Sequence, residues 1–157
     1  MPADAVYVSI ASADTGFHGR GNGPAALQSE EAMTIIDNSR LPRAEIPGID
    51  HVTLAGSANG LHALSVWRQC VAPGGATPPH RHDCEEVVLV ERGRGELRLG
   101  GRAQPFGPDN TLVIPRNADH QIVNTGDEPL QVIGIFATAP VEVFLPDGTP
   151  LALPWPS

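Results

Sequence analysis

A chain of 157 residues, 41% of them hydrophobic and only two of them Cys, can bury a core of its own without a disulfide framework, so one domain is the expectation. All 10 basic residues are Arg, set against 18 acids, and a net charge of -8 repels phosphate backbones and anionic lipid, which excludes nucleic acid and membranes as expected partners. The 17 Gly and 16 Pro suit many short strands joined by tight turns better than a helical bundle, and they predict an all-β fold.

Residues 1–32 read as an N-terminal arm. A brief alternation, "VYVSIA", gives way to "DTGFHGRGNGPAALQSEEA", rich in Gly and polar residues with no sustained period. The arm is either a loosely held tail or a strand that adds to an open sheet edge. Within it "PAALQSEEAM" is the one short helix candidate. No basic leader precedes an apolar run of signal length, and no stretch reaches the length of a membrane helix, so a cytoplasmic protein is expected.

Residues 33–157 are expected to form one β-barrel domain. Apolar alternation recurs in "MTIID", "HVTLAG", "LHALSVWRQCV", "EEVVLVERG", "ELRLG", "TLVIP", "HQIVN", "LQVIGIFA" and "VEVFL". Between them lie turn signals such as "PGGATPP", "FGPDN", "PRNAD", "NTGDEP" and "PDGTP". Such spacing suits a sandwich or a small barrel. Cys70 and Cys84 fall near neighbouring predicted strands and are read as thiols.

The segment "PPHRHDCEEVVLVERG" places His80, His82, Cys84 and Glu86 at even positions, so they share one face wherever the backbone stays extended. Two imidazoles and a carboxylate inside a barrel are costly unless a divalent cation pairs with them. His120 opens a later strand, directly after the turn "IPRNAD", and supplies a fourth ligand. Cys84 is either a soft extra ligand or a small buried filler. Arg81, odd-numbered between two ligands, should point away from the metal. Arg92, Arg94 and Arg98 read as hairpin surface, whereas Arg116, in the turn before His120, stands where it would greet an incoming carboxylate. His18, His51 and His62 have no nameable partner and are read as surface or satisfied buried residues.

Gly74, His80, His82, Glu86 and Gly93 meet every spacing of the first motif of the cupin superfamily, and Pro115, Asn117, His120 and Asn124 follow its second motif. Asp109 and Asn117 stand at that motif's two glycine positions, and Asn tolerates the left-handed backbone that Gly usually supplies. The resemblance implies a single cupin (RmlC-like jelly-roll) β-barrel holding one divalent metal ion per chain on His80, His82, Glu86 and His120. Zn2+ is favoured, with Fe2+, Mn2+ or Ni2+ as alternatives.

Over residues 33–155 the chain is more specifically similar to the auxin-binding protein family of plants, through "HVTLAG", Val66, Trp67 and Gln69, "TPPHRHDCEEV", "DHQIVN", "LQV" and the "FL" at Phe144 and Leu145. That likeness implies a pocket lined by Trp67, Gln69, Thr77, Pro78, Ile49 and Val143, with Trp155 in the place of a C-terminal aromatic. It also implies a homodimer and a small, auxin-like carboxylate as ligand. The plant family's retention tail, terminal disulfide and glycosylation sequon find no match in this sequence.

Three neutral imidazoles and one carboxylate around a divalent ion leave a net charge near +1, which suits a small anion held against an apolar wall. Trp67 is either that wall or simply core, and Gln69 offers a directed hydrogen bond. The same ligand set suits an Fe(II)- or Mn(II)-dependent dioxygenase, so binding and oxygen chemistry both remain open. A lyase or epimerase fits less well, because such cupins often use Tyr as proton shuttle and the one Tyr, Tyr7, lies in the arm.

Overall fold

The computed structural model describes residues 35–155. The chain divides into two units, residues 1–34 and 35–157, and all the described residues belong to the second. The arm, its short helix candidate, Tyr7 and His18 lie outside the described residues.

Eleven strands make up the unit: β1 Ala44–Ile46, β2 Ile49–Ala55, β3 Ser65–Val71, β4 Arg81–His82, β5 Glu86–Arg92, β6 Gly95–Leu99, β7 Arg102–Phe106, β8 Thr111–Ile114, β9 His120–Asn124, β10 Leu130–Phe136 and β11 Val143–Phe144. They pair as a six-stranded sheet in the order β1-β2-β3-β10-β5-β8, a three-stranded sheet β7-β6-β9 and a two-stranded ribbon β11-β4. Every pairing is antiparallel. Isolated bridges Ala76–Val123 and His80–His120 join the ribbon's leading segment to β9, so the two smaller sheets act as one wall opposite the six-stranded one. This is the jelly-roll β architecture expected from the sequence.

The alternation that predicts strands also decides what they bury. Along β10, Leu130, Val132, Gly134 and Phe136 face inward while Gln131, Ile133 and Ile135 are half-buried on the other face. A core cluster forms where both walls meet, with Val71, Val88, Val90, Leu112, Ile114, Leu130 and Val132 from the large sheet and Leu97, Phe106 and Ile122 from the other wall. Each of these side chains stabilises the fold by about 1.5–3 kcal/mol relative to exposure.

Two departures from the sequence reading are informative. Of "MTIID", residues 35–37 form no strand; Ile35 is exposed and Asp37 instead caps a single 3-10 turn at Asn38–Arg40. Apolar residues alone do not make a strand without a sheet to pair with. Conversely, β1 and β7 carry little apolar alternation: β7 reads "RAQPF", and four of its five residues are exposed on a sheet edge, where Pro105 is tolerated.

Candidate metal and ligand site

His82 ends β4 in the ribbon, Glu86 begins β5 in the large sheet and His120 begins β9 in the third. The backbone bends at Asp83 and Cys84 rather than staying extended. Glu86 therefore reaches the histidines by crossing from one wall to the other, not by strand parity along one face. Its register partner on β10 is Phe136, and at the next inward position, Gly134, an added Cβ would press the Phe136 ring at 3.0 Å and sit 3.6 Å from Glu86 Oε1. Glycine there leaves room for the Phe136 ring beside the carboxylate.

The ring nitrogens of His80, His82 and His120 lie within 4.8 Å of one another, and all three residues are buried. Each ring is tied back by its Nδ1, which donates to a backbone carbonyl: His80 to Pro78 at 2.7 Å, His82 to Glu142 at 3.1 Å and His120 to Ala118 at 2.9 Å. With Nδ1 so engaged, the lone pair of each neutral ring sits on Nε2, the arrangement that orients a histidine for a metal. Glu86 Oε2 stands 3.1 Å from His120 Nε2 and 3.6 Å from His82 Nε2. Neither Glu86 Oε2 nor His120 Nε2 has an aligned hydrogen-bond partner. Buried polar atoms left in this state call for a counterpart, and a cation supplies one. The three-histidine cluster can thus hold a metal ion.

The electrostatics of His80, His82 and Glu86 agree with that arrangement in direction, and those of His120, raised by Glu86 in the absence of an ion, run the other way. Burial, reinforced by the neighbouring His120 and His82, pushes the His80 imidazolium down to about 3. Burial also lowers His82, against the pull of Glu86. For Glu86 burial works to raise the carboxyl, but the facing imidazoles of His120, His82 and His80 outweigh it and hold it ionised. Burial opposes the charged form of His120 as well, and there the Glu86 carboxylate prevails and raises it.

Beside the cluster lies a cavity of about 50 Å3, whose lining includes Ile49, Trp67, Gln69, Thr77, Pro78, Val143 and Trp155 together with His80, His82 and Glu86. Trp67 is 3% exposed and belongs both to the wall and to a second core cluster with Phe136, Val141 and Val143. Thr77 Oγ1 accepts from the Ile122 N–H at 3.0 Å. Cys84 sits in that second core cluster and outside the histidine group, the position of a filler. Arg81 turns outward to the Pro146 carbonyl at 3.1 Å and to Asp119 at 3.7 Å. Arg116 is exposed and absent from the cavity lining. Arg92, Arg94 and Arg98 pair on the surface with Glu128, Asp127 and Glu96. Asp109 and Asn117 both adopt left-handed backbone, φ 64° and 60°, so the Asp as well as the Asn fills a glycine's place.

Of the three histidines left without a partner in the sequence, His51 lies beside the site. It is 1% exposed, with its ring stacked on Trp155 at 3.8 Å and 11° and meeting Trp67 edge-on at 5.1 Å. The Gln69 amide donates to its Nδ1 at 3.4 Å, and its Nε2 lies 3.0 Å from Thr53 Oγ1. Burial holds its imidazolium down to about 4, so the ring is neutral. Shared parity with inward-facing Ile49 was the signal available in the sequence.

Residues 24–154 match the family model described as auxin binding protein. Auxin-binding protein T92 of Nicotiana tabacum is 43% identical over 134 residues, covering 76% of this chain and 72% of that protein. Auxin-binding protein 1 of Arabidopsis thaliana is 41% identical over 109 residues, covering 63% of this chain and 55% of that protein, so the match spans about half of its length. Among solved structures, the polyketide cyclase RemF from Streptomyces resistomycificus superposes with a TM-score of 0.61 at 24% identity over 69% of this chain and 83% of that one. A cupin-superfamily sugar phosphate isomerase from Silicibacter pomeroyi gives 0.62 at 21% identity over 76% and 97%. At these identities the structures attest the fold alone.

Proposed function

We propose, for a chain that belongs to the auxin-binding protein family of the cupin superfamily, that it binds one divalent metal ion on His80, His82, Glu86 and His120 and captures a small carboxylic acid in the adjoining cavity. The observation that carries the reading is the convergence of three imidazoles, each fixed by its Nδ1, beside a buried carboxylate whose Oε2 has no hydrogen-bond partner. The ion, zinc by preference for such nitrogen-rich ligation, supplies the positive charge that draws a carboxylate into the barrel.

The chain's own residues do the rest. Glu86, held ionised, offsets part of the ion's charge and leaves the remainder to attract the ligand's carboxylate. Gln69, anchored on His51, presents the remainder of its amide to the cavity. Trp67, Ile49, Val143 and Pro78 exclude water from the ligand's body. The relatives' names, which specify auxin binding, support a carboxylate of this kind. For a homodimer, the outer face of the large sheet offers Val113, 68% exposed, opposite Val87 and diagonal to Leu89.

Metal analysis of protein purified without chelator, followed by calorimetry of the zinc-loaded protein with propionate and phenylacetate, tests the reading. One ion per chain and saturable heat with at least one acid are expected. A protein that takes up no stoichiometric metal, or a loaded protein silent to both acids, overturns it.

A further inference from the structure

Among the described residues four histidines are buried, and His51 is the one outside the metal cluster. It forms no part of the cavity lining, yet three residues that do, Trp67, Gln69 and Trp155, rest against its ring. His51 therefore stands behind the wall rather than in it.

Trp155 depends on such a support. The C-terminal segment joins the ribbon through the Phe144–Pro150 bridge and the bond from the Leu151 N–H to the Val143 carbonyl at 2.8 Å, and among the described residues its backbone bonds to the body end there. Pro154 has no N–H to offer. The Trp155 indole nitrogen is buried without an acceptor, and its ring belongs to neither core cluster. What fixes the ring is its stack on His51 at 3.8 Å and 11°, with a looser edge contact to Trp67 at 6.0 Å and 83°.

The seat itself is rigid, because both imidazole nitrogens are engaged. The β2–β3 register sets His51 opposite Gln69, whose amide donates to Nδ1 at 3.4 Å, and Nε2 lies 3.0 Å from Thr53 Oγ1, two residues further along β2. Hydrogen bonds at two points in the ring plane fix a rotation that packing alone leaves broad. Burial holds the imidazolium down to about 4, so the ring keeps the lone pair that the Gln69 amide requires. A leucine would fill the same volume; the anchored imidazole also sets an angle.

We propose that His51 is a positioning residue of the ligand cavity: held by Gln69 and Thr53, its ring sets the plane of Trp155 and the place of Gln69, so ligand affinity depends on a side chain outside both the lining and the metal cluster. The inference rests on the metal-and-carboxylate reading and names the residue that shapes that site's wall.

Calorimetric titration of the zinc-loaded full chain with phenylacetate and propionate tests it, on the wild type, His51→Leu, His51→Phe, Trp155→Leu and the double variant of His51→Leu with Trp155→Leu. His51→Leu should weaken at least one acid about tenfold while zinc affinity stays within about threefold. His51→Phe, a flat ring without the two hydrogen bonds, should fall between it and the wild type. In the Trp155→Leu background the same leucine should cost about threefold at most, since the ring has nothing left to seat. Unchanged ligand affinity in His51→Leu overturns the inference and leaves the metal-and-carboxylate reading standing. So does a loss undiminished in the Trp155→Leu background, or one that zinc affinity shares in full, because the histidine would then be general support for the fold. If the wild type binds neither acid, the broader reading fails and the inference with it. A second readout needs no ligand: the chain has two Trp, so Trp67→Phe leaves Trp155 as the sole indole emitter. Adding His51→Leu should raise its quenching by acrylamide severalfold, and adding His51→Phe should raise it less. Unchanged quenching in whichever of these variants folds shows Trp155 seated without His51 and overturns the inference.

Discussion

The two ends of the barrel are built on the same strands and obey opposite rules. Toward one end the inward positions of β3, β5 and β10 carry Val71, Val88, Val90, Leu130 and Val132, which need only fit and exclude water. Toward the other the same strands supply Trp67, Glu86 and Phe136, and the facing wall adds His80, His82 and His120. The aliphatic end holds the fold. The polar end costs stability when empty, because a buried carboxylate and imidazoles are desolvated there without full compensation, and it is kept in place by what surrounds it. A strand's alternation fixes which side chains face inward, and the order of residues along it fixes which end does chemistry.

That division predicts that the ends can be broken separately. His82→Ala should abolish stoichiometric metal binding, a loss of orders of magnitude in affinity read by equilibrium dialysis, while the metal-free protein stays folded. Leu130→Ala should cost about 2–5 kcal/mol in denaturant unfolding of the metal-free protein yet leave metal stoichiometry at one, since Leu130 is fully buried in the aliphatic cluster at the opposite end of β10 from the position paired with Glu86. If Leu130→Ala also emptied the metal site, the two ends would be one cooperative unit and the comparison would fail.

The aliphatic end contains one polar exception, and it sharpens the rule. Asn124, 1% exposed, closes β9 and donates through its amide to the Val71 carbonyl at 2.9 Å and the Glu128 carbonyl at 2.8 Å, while its Oδ1 accepts from Gly126 N–H at 2.9 Å. It is fully satisfied by backbone and asks for no ion. Asn124→Ala should therefore destabilise by about 1–3 kcal/mol, through the backbone groups it leaves unpaired, with no change in metal affinity.

The same contrast decides how much of the molecule is legible in its sequence. The runs that became β5, β9 and β10 can be read because their buried faces alternate with half-buried or exposed ones, the pattern a strand between core and solvent imposes. The histidine spacing can be read because it is local. β7 cannot, since its exposed residues carry no apolar signal, and neither can the crossing of the chain between His82 and Glu86 from one wall to the other. His51 escapes for a third reason. Its partners Gln69 and Trp155 are brought to it by strand register and by the returning C-terminal segment, neither of which is written in the neighbourhood of residue 51.

His51 also gives the smallest and most particular test, because it is a buried histidine that the metal end uses without the metal. Its folded-state imidazolium is depressed from 6.5 to about 4, so between those values the unfolded chain binds a proton that the folded chain does not. Stability from this residue is accordingly complete above pH 6.5 and is lost as the pH falls toward 4. Lowering the pH from 7 to 5.5 should cost about 1 kcal/mol more in the wild type than in His51→Gln, whose side chain stays neutral throughout. The measurement is a pair of denaturation midpoints at each pH on metal-free protein. Identical pH dependence in the two proteins would mean that the ring accepts its proton in place, and then the stack between His51 and Trp155 would not be the neutral, water-excluding wall that the cavity needs.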